Sequence, residues 1–183
     1  MPLSKKKIVE LQLDRKINNF FKTAVFCPFD FPAVVIVNPY KNNIPAPTIY
    51  WLSCPYLNYK VDRLESESNL PAELQNLLAQ DSDFKAKMEK AHKKYAEKRR
   101  NLLAQKELEE AKALSEDLYQ TLLYSGVGGI KEQKGIKCLH THLAHFLADR
   151  SNPVGKIVFE KIAWPDECSI CQERIDEFAS SCN

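Results

Sequence analysis

No apolar run in this 183-residue chain approaches the length of a membrane span. The longest, residues 31–37, has seven residues and a proline inside it, against the roughly 20 that cross a bilayer. No transmembrane helix is expected. Charges interrupt the opening MPLSKKKIVELQLDRKINNFF where an apolar signal core would lie, so a cytoplasmic protein is expected. The chain also lacks a dominant charge. Lys plus Arg at 26 against Asp plus Glu at 24 leave a formal +2, too little for a global field toward nucleic acid or membrane. There is no internal repeat and no low-complexity segment. What remains is ordinary globular usage, 44% hydrophobic and 27% charged, which excludes wholesale disorder and suits a single core.

Glycine is scarce and proline is not, and both are clustered. Four of the five glycines (126, 128, 129, 135) fall within ten residues, and six of the ten prolines (28, 32, 39, 45, 47, 55) fall between Cys27 and Pro55. Among those prolines sit AVVIV at 33–37 and TIYWL at 48–52, which predict an antiparallel hairpin with a long connection. Two strands alone are marginal in water, so the pair is expected to pack on helices or recruit a third strand from residues 23–26. From Tyr56 the apolar period becomes helical, through Leu57, Val61 and Leu64, then Leu74, Leu77 and Leu78. Residues 82–125 contain neither Gly nor Pro and predict a long charged helix or a helical hairpin turning near Asn101. A further helix is expected over 137–148, stopping before Asn152-Pro153. The fold class is therefore α+β, mostly α, with a small antiparallel β element packed on helices. Residues 1–163 form one domain, and residues 164–183 a Cys-containing tail, loosely attached.

Six cysteines in a reducing compartment point to metal, cluster or thiol chemistry more than to a disulfide framework. Cys27 just precedes the first strand and Cys54 just follows the second, so a hairpin brings them side by side. Cys138 opens the helix that carries His140, His142 and His145. At about 100° per residue, His142 and His145 share the Cys138 face and His140 lies nearly opposite. The expectation is a metal site with Cys27, Cys54 and Cys138 as thiolates and His142 as the fourth ligand, with His140 and His145 as proton-carrying catalytic groups. An iron–sulfur cluster is the expected cofactor and zinc the alternative; buried core cysteines are the bland reading. Cys168, Cys171 and Cys182 have zinc-like spacing, C-x2-C-x10-C, without an evident fourth ligand. They define a second candidate site, or complete the first. Gly128 and Gly129, with Lys131 and Lys137, form a candidate anion loop before a helix, the alternative being a plain connector. Residues 85–100 carry eight Lys or Arg and two Glu, a basic face of a kind that is more often solvated than bound to nucleic acid.

Three blocks together resemble one family. Phe26-Cys27-Pro28-Phe29-Asp30-Phe31-Pro32, Leu52-Ser53-Cys54-Pro55, and Gly135-Ile136-Lys137-Cys138-Leu139-His140, continuing to Ala144-His145 and Asn152-Pro153-Val154-Gly155, are similar in type and order to the bacterial domain-of-unknown-function family 501. The resemblance spans residues 24–155. It carries Cys27, Cys54, Cys138, His140 and His145 as motif positions, leaves the tail cysteines outside, and implies no reaction. The function expected is metal or cluster binding, with a small molecule or a protein as partner, in a chain that is an enzyme or a binding protein. The rivals are a non-enzymatic interaction protein using the long charged helix and an RNA-associated module using its basic face.

Overall fold

The computed structural model describes residues 3–41, 43–131 and 135–181. Its centre is β2 (Pro32–Val37), flanked antiparallel by β1 (Phe20–Phe26) and β5 (Tyr50–Leu52). Val35 pairs with Trp51 and Thr23 with Val35, so the expected hairpin and its third strand are both present. Every residue of β2 is buried. The reason is that both faces are covered, which turns an alternating pattern into a continuous apolar run. Val34 and Ile36 face the main helical core, whereas Val35 and Val37 pack with Val9 and Ile17. The connection between β2 and β5 carries a two-stranded ribbon, β3 (Tyr40–Lys41) with β4 (Ile44–Pro45).

Among the described residues the helices are α1 (Lys5–Leu13), α2 (Pro55–Glu67), α3 (Leu70–Gln80), α4 (Ser82–Arg100), α5 (Gln105–Leu114), α6 (Glu116–Tyr124), α7 (Leu139–Asp149), α8 (Pro153–Ile162) and α9 (Ile170–Ser181). The long helical element is three helices. Glu107 accepts from the Ala104 amide, and Ser115 accepts from the Leu118 amide. Two helix starts are thereby capped where the chain contains no Gly or Pro to announce a break. The apolar stripe Phe84, Met88, Ala91 and Tyr95 is buried, and the Tyr95 hydroxyl accepts from the Ile49 amide at 2.8 Å, tying α4 to the sheet.

Arg99 comes from the basic run and is fully buried. Its guanidinium donates to the carbonyls of Leu122 (2.6 Å), Pro47 (3.1 Å) and Ser125. It clamps the C-terminal end of α6, where carbonyls lack helical partners, and is thereby removed from any nucleic-acid face.

The tail is docked. Arg174 of α9 donates to the Leu11 and Gln12 carbonyls at the end of α1, and Lys7 lies 4.0 Å from the Phe178 ring centroid. No helix of the described residues is long and apolar enough to cross a membrane.

Candidate functional site

Helix α7 positions the histidines, and its point of origin decides where they go. Leu139, Leu143, Ala144 and Leu147 are buried, so the helix lies across the core with its first turn at the surface. Cys138 is the residue before the helix, with extended backbone (φ −54°, ψ 141°). The helical-wheel expectation that grouped Cys138 with His142 and His145 fails for this reason: a residue outside the helix does not follow its 100° step. The Cys138 sulfur lies 3.2 Å from the Thr141 hydroxyl, and His140 stands near enough to act on its ionisation.

His140 stands between that thiol and two carboxylates of α2. Its Nε2 lies 3.2 Å from Asp62 Oδ1, and its Nδ1 lies 3.4 Å from Glu65 Oε2. Glu65 also accepts from the Leu139 amide at 2.5 Å, capping α7 from a neighbouring helix. The Asp62, Glu65 and His140 ligand atoms lie within 4.8 Å of one another; among the described residues no other set of three His, Cys or carboxylate groups does so. The pair Asp62 and Glu65 is spaced i, i+3, which places both on one side of α2. That spacing was the available signal in the sequence, and it is a weak one.

The electrostatics follow from these contacts. His140 lowers the Cys138 pKa most; burial opposes it and Thr141 assists. For His140, burial works against the charged form, yet the influence of Cys138 and the charges of Glu65 and Asp62 carry its pKa above 6.5. Both shifts favour a thiolate beside an imidazolium, and the positive end of α7 favours the thiolate further. Cys138 is solvent-exposed. His140 and Thr141 line a cavity of about 460 Å³ whose other walls include Arg15, Trp51 and Asn58. The Arg15 guanidinium lies 4.6 Å from the Trp51 ring centroid. The thiol itself does not line this cavity; its neighbours His140 and Thr141 do.

His142 and His145 are elsewhere and do not meet Cys27, Cys54 or Cys138. Both are fully buried, and the Asn152 amide nitrogen lies 3.1 Å from the Nδ1 of each. Asn152 also accepts from the Gly155 amide, capping α8. His145 is stacked on Tyr50 at 5.8 Å and set edge-on to Tyr95 at 4.9 Å. Gly155 is there for close approach, since a Cβ on it would fall 2.1 Å from the His142 carbonyl oxygen. The Asn152-Pro153-Val154-Gly155 block is thus a helix junction.

Nor does the structure bring Cys138 to Cys27 and Cys54. Cys54 is the N-cap of α2, and Asp62 and Glu65 lie eight and eleven residues farther on, roughly 12 to 16 Å along the axis. Cys27 and Cys54 are buried near each other and near Cys171. Cys168 is half-buried beside Cys171, and Cys182 lies outside the described residues. In the glycine loop, Lys131 is ion-paired with Asp117 at 2.6 Å and Lys137 packs over Gly128. The Val127 amide donates to His92, and the Gly126 and Gly129 amides donate to Ile130 and Gly126 carbonyls. That use of its amides is what a connector requires.

The model of a family described as "Protein of unknown function (DUF501)" matches residues 23–160. No curated protein and no solved structure matches the chain.

Proposed function

The chain belongs to the DUF501 family, whose description supplies no reaction, and from that premise we propose that Cys138 is a nucleophilic thiolate, with His140 as its proton acceptor and Asp62 and Glu65 as the groups that hold and charge the imidazole. The observation that carries this reading is His140 itself, two residues from the thiol and set 3.2 and 3.4 Å from two carboxylates of α2. A thiol beside a base that is oriented by a carboxylate is the arrangement that activates cysteine for attack on an electrophilic carbon or sulfur. A substrate in the adjoining cavity meets Thr141 and His140 on one wall and the Arg15–Trp51 pair on another. With the thiol proton already resting on His140, the Cys138 thiolate attacks and His140 gives that proton to the leaving group.

The test is a race among thiols. With limiting iodoacetamide at pH 7 and peptide mapping by mass spectrometry, Cys138 is alkylated first, and His140→Asn slows it about tenfold or more. Alkylation of Cys138 no faster than that of half-buried Cys168 contradicts the reading.

A second reading retains metal binding with different ligands. The mutual approach of Asp62, Glu65 and His140, with Cys138 beside them, is an N/O/S donor set that suits zinc. The N-terminal amides of α7 oppose a cation there, so the thiolate reading stands first. Zinc that slows Cys138 alkylation in the wild type but not in Asp62→Asn favours the second.

A further inference from the structure

We infer that Cys27, Cys54, Cys168 and Cys171 form a zinc-binding site where the C-terminal helix α9 docks on the body of the fold. Four segments converge there. Cys27 follows the hydrogen-bonded end of β1, with its amide on the Phe31 carbonyl. Cys54 begins α2, next to Ser53, whose hydroxyl donates to the Pro32 carbonyl at 3.1 Å. Gln12 of α1 donates to that same carbonyl at 2.8 Å and to the Cys171 sulfur at 3.2 Å. Cys168 lies three residues before Cys171, the spacing of a two-cysteine metal knuckle.

Gln12 is the independent observation. It is 4% exposed, and its amide nitrogen is held between the Pro32 carbonyl and the Cys171 sulfur. An N–H aimed at a ligating sulfur stabilises the thiolate and orients it.

Binding releases four protons to solvent and leaves a tetrathiolate zinc of charge −2, partly offset by Arg174, whose field already favours the Cys171 thiolate. No three of these sulfurs lie within 4.8 Å of one another, whereas Zn–S bonds of about 2.3 Å place sulfurs about 3.8 Å apart. Zinc therefore draws α9 inward, and its ligands bridge the family-matched body, which holds Cys27 and Cys54, with a flank beyond it.

The test uses the full chain, reduced, stripped with chelator and titrated with cobalt(II) and then zinc. The expected result is one equivalent of cobalt giving thiolate-to-cobalt charge transfer and strong tetrahedral d–d absorption. Zinc bleaches these bands and protects four thiols from a disulfide reagent. Cys171→Ser and Cys54→Ser weaken binding about 100-fold or more, Gln12→Leu about tenfold, and Cys138→Ser and His140→Asn leave it unchanged. Cobalt spectra without sulfur charge transfer in the wild type overturn the inference, whatever the variants do. So does binding that is lost in His140→Asn and kept in Cys171→Ser, which places the metal at the Cys138 end, and so does a brown iron cluster in freshly purified protein.

Discussion

The first turn of α7 and the two turns after it put the same side chain to opposite uses. His140 stands in the first turn, partly exposed, among a thiol and two carboxylates that favour its charged form. His142 and His145, with His92 of α4, lie in the interior, where burial holds their pKa values near 3, 4 and 4. Two to five residues of helix thus separate an imidazole with a raised pKa from ones that stay neutral until the pH falls far below 6.5. What differs is hydration and the charge of the neighbours, not the residue type.

The largest effect that sharpens this contrast is acid lability. In the unfolded chain these histidines titrate near 6.5, whereas in the fold they stay neutral until about 4 or below, so falling pH loads protons onto the unfolded state first. Stability is retained above pH 6.5 and falls below it, by about 1.4 kcal/mol per pH unit for each buried histidine. Urea unfolding at pH 7.5 and pH 5 measures the difference, and unchanged midpoints break the contrast. His140 has the opposite sign. Its raised pKa adds stability below pH 6.5 that is lost as pH rises through its folded value.

Next in size is Asn152→Ala, which leaves the Gly155 amide and the Nδ1 atoms of His142 and His145 without their partner. A loss of about 3 kcal/mol is expected, read as a lowered Tm, with Cys138 alkylation unchanged. His140→Asn shows the reverse pattern, with stability changed by under about 1 kcal/mol because its ion pairs face solvent and with Cys138 reactivity strongly reduced. The smallest effect is Asp62→Asn. That carboxylate is 70% exposed and screened by water, so Cys138 alkylation slows only about twofold.

Much of the architecture was legible. AVVIV and TIYWL carry the hairpin, and the helical periods locate α2, α3 and the stripe of α4. Capping by Ser115 and Glu107 was not visible as a break, because such bonds need partners that only a formed helix supplies. The candidate site was half legible. Cys138 and His140 stood out as a thiol and an imidazole in one short string. Asp62 and Glu65 come from a helix that the string does not mention, 74 residues away from Leu139 in the case of Glu65. The histidine pattern misled for a physical reason: a wheel assigns faces only to residues inside the helix, and Cys138 stands one residue before it. The docking of α9 was missed because its bonds are to backbone carbonyls of α1, which no side-chain pattern announces.

The most direct measurement is an imidazole NMR titration of the wild type and Cys138→Ser. One histidine, His140, titrates above pH 6.5 in the wild type and moves down when the thiol is removed, while the others stay neutral until the protein unfolds. A His140 midpoint at or below 6.5, or one indifferent to Cys138→Ser, contradicts the coupling of thiol and imidazole on which the proposed function stands.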